Sequence, residues 1–568
     1  MPGFPLTTSP WIRVMDTTAG SREVGLIEAL TRAHELRLIP ADRQESAVVL
    51  RLLLAVYDAA AGPADDQEWD NAWQAQGLDH DGRVTAYLAR WEDRFDLFHP
   101  TRPFAQCGHL VQFRRTPDVL DPAYLGGNGG SWFNERLRDP AAYPPHPPAQ
   151  AARYLLTLLG YDVAGIKGAP GGDKTFGAKV GQVGALPQLH VLGQTLKDTV
   201  LLNLPPRPRS AGDRPEWERD CPEPGVRVRT PTGRLDYLTW PARRIRLRTD
   251  DLGRVDAVAW HDGDRVEGDN TTAAQVDDLA AWRATGKGKT VPLTLFDAEF
   301  GTPVPWLVAQ PLHPDSVTDN STLHGGTLHH VLAAARRRVL PPDFRLRVAV
   351  SAAIYNVHYS VLTDVRGGVV DLGQVGVHLN SATAPWLTHV IATTIGALKT
   401  VRAAAAAMLP HINRVGDRIS LDPGATAKAW DRLLRGLGEQ PPDEASSLSR
   451  EFGRVVLDQL RHSTGRLPVV QDGSRSLGGL LARVDGLEAR YATLPTRLVP
   501  APAPRRRSPG SGRRPSPPVT IGGETKTLAQ WAADPRCQVT KAALRQRLQT
   551  GWPPEQALTT PARARRHD

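Results

Sequence analysis

The stretch Leu235-Asp-Tyr-Leu-Thr-Trp-Pro-Ala-Arg-Arg-Ile-Arg-Leu247 sets the fold class. After Pro241, basic and apolar residues alternate through Arg244-Ile-Arg-Leu247, the period-two pattern of a strand with one wet face. The alternation recurs in Val226-Arg-Val-Arg229 and in Leu346-Arg-Val-Ala-Val350. Residues 30–60 read instead as helix, with Leu50, Leu53, Leu54 and Val56-Tyr57 on an apolar stripe. Strands and helices mixed with many Pro and Gly breaks predict a large α+β domain over residues 1–370.

The pattern changes beyond that point. Four amphipathic segments, at about 384–408, 424–437, 445–463 and 475–493, predict a four-helix bundle over residues 371–497. Pro385 falls in the first turn of the first helix, where a missing N–H costs nothing. Residues 498–519 form a Pro/Arg-rich linker that is expected to be disordered. Residues 520–568 regain order signals, with Leu528 and Trp531 on one short helix and Thr540 capping a second that carries Leu544 and Leu548. Gly551-Trp-Pro-Pro554 breaks that helix before a third, which predicts a small helix-turn-helix-like module.

Composition narrows the function. The chain has 568 residues, 40% hydrophobic and 23% charged, so it is globular and needs more than one core. No apolar run reaches the length of a bilayer span, and Met1-Pro-Gly-Phe-Pro5 does not look like a secretory signal. Cys107, Cys221 and Cys537 are too far apart in sequence for a CxxC pair or a disulfide framework, so a cytoplasmic protein without a structural metal is expected. The net charge of +9 is confined to one end: residues 501–568 hold 13 Lys and Arg against 4 Asp and Glu, while residues 1–500 hold 56 of each sign. Such asymmetry points to an appended nucleic-acid-binding or membrane-surface element, or to a merely solubilising tail.

Gly168 to Thr175 nearly spells a phosphate-binding loop, but Asp173 stands where that loop needs glycine. A carboxylate there would repel phosphate, so the glycine-rich stretch Gly165–Gly184 reads better as backbone laid close to a polyanion, or as a plain surface loop. Arginines 227, 229, 234, 243, 244, 246 and 248 could track a phosphate backbone, or line a solvated strand face. His324, His329 and His330 lack a recognised ligand spacing, and no nucleophile elbow, HExxH or paired-carboxylate signature is present. No cofactor and no enzymatic activity are expected.

Four blocks in order resemble one family, the large subunit CasA of the type I-E CRISPR surveillance complex Cascade. They are Ser9-Pro-Trp-Ile12, Phe95-Asp-Leu-Phe-His-Pro-Thr-Arg-Pro-Phe-Ala-Gln106, Lys197-Asp-Thr-Val-Leu-Leu-Asn203 and the Leu235–Leu247 string. The resemblance implies a non-catalytic subunit that reads the short motif flanking the target (the PAM), helps open the duplex for R-loop formation and docks a helicase-nuclease. Its implied partners are other Cascade subunits, crRNA, target double-stranded DNA and that effector, with no membrane. Carried over by position, Lys179, Gly181, Gln182 and Gly184 would enter the minor groove, with Lys287 and Lys289 approaching the PAM. Phe133 and Asn134 would belong to the loop that contacts crRNA and PAM-proximal DNA.

The family's wedge commonly holds Gln after Tyr and Asn, whereas this chain reads Tyr355-Asn-Val-His-Tyr-Ser360. His358 and Tyr359 are the wedge candidates by this comparison; core aromatics at a strand end are the alternative. The tail resembles helix-turn-helix segments of phage-type and homing nucleases, with Lys541, Arg545 and Arg547 as DNA-facing residues, or else a protein-docking module. Two rival functions remain at this level: a nucleotide hydrolase, opposed by Asp173, and a free-standing DNA-binding regulator that reads through the tail.

Overall fold

The computed structural model describes residues 3–39, 43–121, 143–167, 179–184, 186–267, 276–284, 290–292, 322–323, 326–371, 383–408, 445–465, 519–549 and 552–560, with a few positions between 419 and 433. Phe133, Asn134, Lys287, Lys289, residues 498–518 of the linker and the expected helix at 475–493 lie outside the described residues, while the linker's last residue, Val519, begins a strand. The chain divides into two compact units, Met1–Pro500 and Ala501–Asp568.

The first unit mixes sheet and helix, as expected. Its central sheet is antiparallel, with Arg347–Tyr355 between Leu362–Asp371 and Gln188–Leu192. The period-two pattern buries Leu189, Val191, Val348, Val350 and Ala352 on one face of it. Strands Arg243–Thr249 and Val255–Asp262 form a second antiparallel pair, closed by a turn in which Gly253 takes φ +76°. A third sheet joins Gly20–Val24, Ile12–Asp16 and Leu36–Leu38. The long helix Arg43–Ala61 buries Leu50, Leu53, Leu54 and Tyr57 and is the trunk of the core. The region expected to be helix from residue 30 is in fact a short helix, Leu26–Thr31, then the strand Leu36–Leu38, then that trunk. Helices Thr383–Met408 and Ala445–Gly465 match two of the four expected amphipathic segments, and Val401, Phe452, Val456 and Leu460 are buried.

Most of the arginines of 227–248 turn into the fold. Asp264 receives Arg227 and Arg229 at 3.0 and 2.6 Å and also pairs with Arg244. Arg229 reaches Asp236 at 2.6 Å, Arg234 reaches Asp58 at 2.9 Å, and Arg248 reaches Asp256 at 2.9 Å. Arg246 donates to the Gly108 and Leu110 carbonyls at 2.6 and 2.8 Å. Arg243 pairs with Asp162. The reading of this stretch as phosphate contacts is therefore corrected, since each of these cations meets a carboxylate or a carbonyl within the fold; the solvated-face reading holds only for Arg227 and Arg248, whose side chains are 53% and 51% exposed. A buried charge is tolerated only when paired and hydrogen-bonded, which is why basic residues occur here at strand-interior positions.

The second unit has its own small core of Ile521, Trp531, Leu544, Ala557 and Leu558. Three short helices, Leu528–Ala532, Lys541–Gln549 and Pro554–Thr559, fall where the punctuation predicted. A hairpin, Val519–Ile521 with Glu524–Lys526, precedes them and was not expected. Gly522 and Gly523, at φ +59° and +82°, make its two-residue turn, and this Gly-Gly pair was the signal to read. The Trp531 indole N–H donates to the Val519 carbonyl at 2.7 Å, tying helix to hairpin.

Glu216 is buried near Arg94, Arg219 and Arg244, yet burial dominates and raises its carboxyl from the ordinary 4.5 to about 7. The folded chain thus holds a proton that the unfolded chain releases, so stability should fall as pH rises from about 4.5 to about 7. Glu216→Gln should remove that slope and stabilise the protein at and above neutral pH by up to roughly 3 kcal/mol. Urea denaturation of both proteins across this range measures it; parallel pH profiles would refute the assignment.

Candidate nucleic-acid interface

Three segments meet at one edge of the first unit. The helix Pro148–Tyr161 closes through Gly160 and Tyr161, and the chain continues as a mostly buried strip to Ala164. Beside it lies Lys179–Gly184, whose Gly181 N–H donates to the Asp162 carbonyl at 2.7 Å. The Val183 and Gly184 N–H groups both donate to the Gly160 carbonyl at 2.9 Å. On the other side is the tip of the hairpin formed by Arg347–Tyr355 and Leu362–Asp371, where the Ala164 N–H donates to the Tyr359 carbonyl at 2.7 Å.

Arg243 fixes this junction from beneath. Its Nε pairs with Asp162, and its terminal nitrogens donate to the carbonyls of Val163 at 3.1 Å, Lys179 at 2.7 Å and Ala242 at 2.8 Å. Lys167 adds a second cation, 3.2 Å from the Asp162 carboxylate and 4.1 Å from the Trp260 ring centre. Burial pushes the Lys167 ammonium below its ordinary value, opposed by Asp162.

The glycines serve packing first. A Cβ on Gly181 would lie 2.5 Å from the Gly160 carbonyl carbon and oxygen, and one on Gly184 would collide with the Tyr355 hydroxyl. Gln182 is half-buried, and its side-chain amide donates to the Tyr237 carbonyl at 2.9 Å. Of the four residues matched to the minor-groove loop, Lys179 is exposed, while Gly181, Gln182 and Gly184 hold the segment in place.

The hairpin tip is a built turn. The Asn356 side-chain oxygen accepts from the Ser360 N–H at 2.8 Å, and its amide reaches the Ser360 hydroxyl at 3.1 Å. The Tyr359 N–H donates to the Asn356 carbonyl at 2.9 Å, which holds Tyr359 at φ +56°, a conformation that costs a non-glycine residue on the order of 1 kcal/mol. Val357 is 89% exposed and Tyr359 52%, with His358 also exposed. The wedge candidates are therefore on a protruding tip, and the alternative of core aromatics does not hold for them. Tyr355 is the inward-facing, half-buried aromatic of the group, its hydroxyl donating to the Tyr161 carbonyl at 2.8 Å. The sequence reading missed Tyr355, Asn356 and the Arg243–Asp162 pair. For Tyr355 and Arg243 the partner lies far away in sequence, and the Asn356 turn carries no glycine or proline to mark it.

The His330 ring packs edge-on against Trp69 with centroids 4.5 Å apart, and burial lowers its pKa to about 4. It is a core residue here. In the second unit, Arg547 donates to the Ala557 and Thr560 carbonyls at 3.3 and 2.5 Å and lies 4.7 Å from the Trp552 ring centre. That side chain holds the end of the last helix, which departs from the DNA-facing role expected of it.

Residues 5–442 match the model of the CRISPR-associated protein Cse1 family. The chain belongs to that family. The CasA/Cse1 protein of Thermus thermophilus is 36% identical over 304 residues, 51% of this chain and 57% of that relative, so the alignment spans little more than half of it. Cse1 of Acidimicrobium ferrooxidans shares the fold at TM-score 0.68 and 24% identity, over 87% of this chain and 99% of the other. A chain from a structure titled "CRISPR RNA-guided surveillance complex" does so at TM-score 0.68 and 18% identity, over 86% of this chain and 100% of its own. The resemblance read from four sequence blocks is thus confirmed, and in this chain each block makes contacts that hold the fold. Gln106 donates to the Leu97 carbonyl and accepts from the Leu247 N–H, both at 2.8 Å, joining two of the blocks. Lys197 donates to the Trp73 carbonyl at 2.7 Å, and Asn203 exchanges two bonds with Val191 at 2.7 and 2.8 Å. Trp11 gives its carbonyl to buried Arg153 at 2.7 Å.

Gly184→Ala should destabilise the first unit by roughly 1–3 kcal/mol through the clash with Tyr355. Tyr355→Phe should recover part of that loss, because the colliding atom is the hydroxyl. A double-mutant cycle from denaturant midpoints tests this, and strictly additive effects would refute the contact.

Proposed function

We propose that this Cse1-family chain is the non-catalytic large subunit of a crRNA-guided DNA surveillance complex. In this reading it assembles with the other Cascade subunits and crRNA and reads the motif flanking the target on double-stranded DNA. It then helps part the strands for R-loop formation and offers a docking surface to a helicase-nuclease. The observation that carries the reading is the hairpin tip Val357-His-Tyr359, exposed yet pinned, beside solvent-facing Lys179. Exposed aromatic and apolar groups on a rigid protrusion can wedge between base steps or stack on an unpaired base, worth about 1–3 kcal/mol per base. Lys179 can meet phosphate at the groove edge, with the Gly181–Gly184 backbone close behind it. Phe133, Asn134, Lys287 and Lys289 belong to the proposal by family position.

The unit Ala501–Asp568 lies beyond the family match and carries the chain's excess charge. We assign it an auxiliary hold on duplex DNA through Lys541 and Arg545, four residues apart on a nine-residue helix, supported by the flanking arginine clusters. Arg547 supports the module's fold in this assignment.

Two experiments test the proposal. His358→Ala with Tyr359→Ala should leave binding of the flanking motif largely intact and slow R-loop formation, and a target pre-melted beside that motif should erase the defect. Normal opening of intact duplex by this variant would refute the wedge. Deleting residues 498–568 should preserve assembly and motif preference while weakening DNA affinity, most at low salt. Lys541→Glu with Arg545→Glu should reproduce much of that loss. Superimposable gel-shift salt series for the intact, truncated and reversed proteins would show a protein-docking tail instead.

A further inference from the structure

We propose that Tyr355 is a positioning residue that couples recognition of the flanking motif to strand opening. This deepens the functional reading above and rests on it. The strip Gly160–Ala164 is a shared rail: its Gly160 and Asp162 carbonyls hold the Lys179–Gly184 segment, and its Ala164 N–H holds the hairpin tip through the Tyr359 carbonyl at 2.7 Å. Tyr355 spans both attachments. It is the last residue of its strand, at a register shift between Ile354 and Tyr355, and its hydroxyl donates to the Tyr161 carbonyl in the middle of the rail at 2.8 Å.

The same hydroxyl occupies the space that a side chain on residue 184 would need, and the ring continues behind it, with Cζ 3.0 Å from that Cβ position. Tyr355 thus touches the reading segment with its ring and the rail with its hydroxyl, while its backbone starts the wedge turn. Its ring also lies 6.0 Å from that of Tyr359. Burial holds the Tyr355 phenol well above its ordinary pKa, so it remains a hydrogen-bond donor throughout the physiological range. A displacement of Lys179–Gly184 by bound DNA is therefore transmitted to the tip through packed atoms and one directional bond. Interiors at this density pass on displacement and do not absorb it.

The test uses the assembled complex with crRNA and three targets: a duplex bearing the flanking motif, the same duplex pre-melted beside the motif, and a duplex without the motif. Tyr355→Phe keeps the ring and removes the bond. It should slow opening of the intact flanked duplex by about two- to tenfold, the worth of one hydrogen bond in a rate. It should leave the pre-melted target at the wild-type rate, and a short flanking duplex should bind with unchanged affinity. A merely structural role would slow both targets by one factor. Equal slowing of both, or of neither, overturns the coupling while leaving the functional reading in place. A wild-type complex that does not distinguish flanked from unflanked duplex overturns the functional reading, and the coupling with it.

Discussion

The buried Arg243–Asp162 pair is the constraint on which the candidate interface depends. Arg243 stands at the start of a strand, and Asp162 follows the helix Pro148–Tyr161, so the pair fixes the distance between sheet and helix end. Its remaining donors go to the Val163, Lys179 and Ala242 carbonyls, which binds the reading segment to the same point. Arginine suits this because its planar fork serves several acceptors at once. A hydrophobic replacement would leave the Asp162 charge and two carbonyls buried without a donor from this side. Removing one partner of a buried pair typically costs about 3–5 kcal/mol.

The same economy governs the whole body. Its 56 cations match 56 anions, and the arginines closest to the strands are held by Asp58, Asp162, Asp236, Asp256, Asp264 and Asp278 or by carbonyls. Such a surface releases few counterions when it meets DNA, so a strong, salt-steep and sequence-blind affinity is not expected of it. Under the function proposed above, a subunit would sample many duplexes and stay only where a short motif fits, and weak general attraction suits that task. The basic excess lies in residues 501–568, divided between the Pro/Arg-rich linker and the module that follows it, outside the charge-balanced body.

Local patterns were legible in the sequence wherever the determinant was local. Alternation located the strands at 243–249 and 347–355, the apolar stripe located the trunk helix, and Thr540 with Leu544 located a helix of the tail. The roles of the arginines were not legible, because an alternating basic strand looks alike whether its cations meet water or carboxylates far along the chain, as for Arg243–Asp162 and Arg234–Asp58. The glycines near 181 were ambiguous for a related reason. Glycine marks close backbone approach, but sequence does not say whether the approaching partner is a ligand or Gly160 of the same chain.

These distinctions explain how the tip proposed as a wedge can change its residues without losing its place. The turn is held by the Asn356 side chain, by backbone bonds and by Tyr355 against the rail, and none of these contacts uses the side chains of Val357 or His358. A tip whose geometry is fixed by its base can vary its chemistry at little cost to stability, since exposed side chains away from such features usually change it by about half a kcal/mol or less. Tyr359 is the exception, because its backbone both closes the turn and bonds the rail in the left-handed conformation. Substituting glycine there would relieve the φ penalty while removing the exposed ring, so stability and the proposed strand opening would move in opposite directions. That opposition separates what the tip needs in order to fold from what it needs in order to act on DNA.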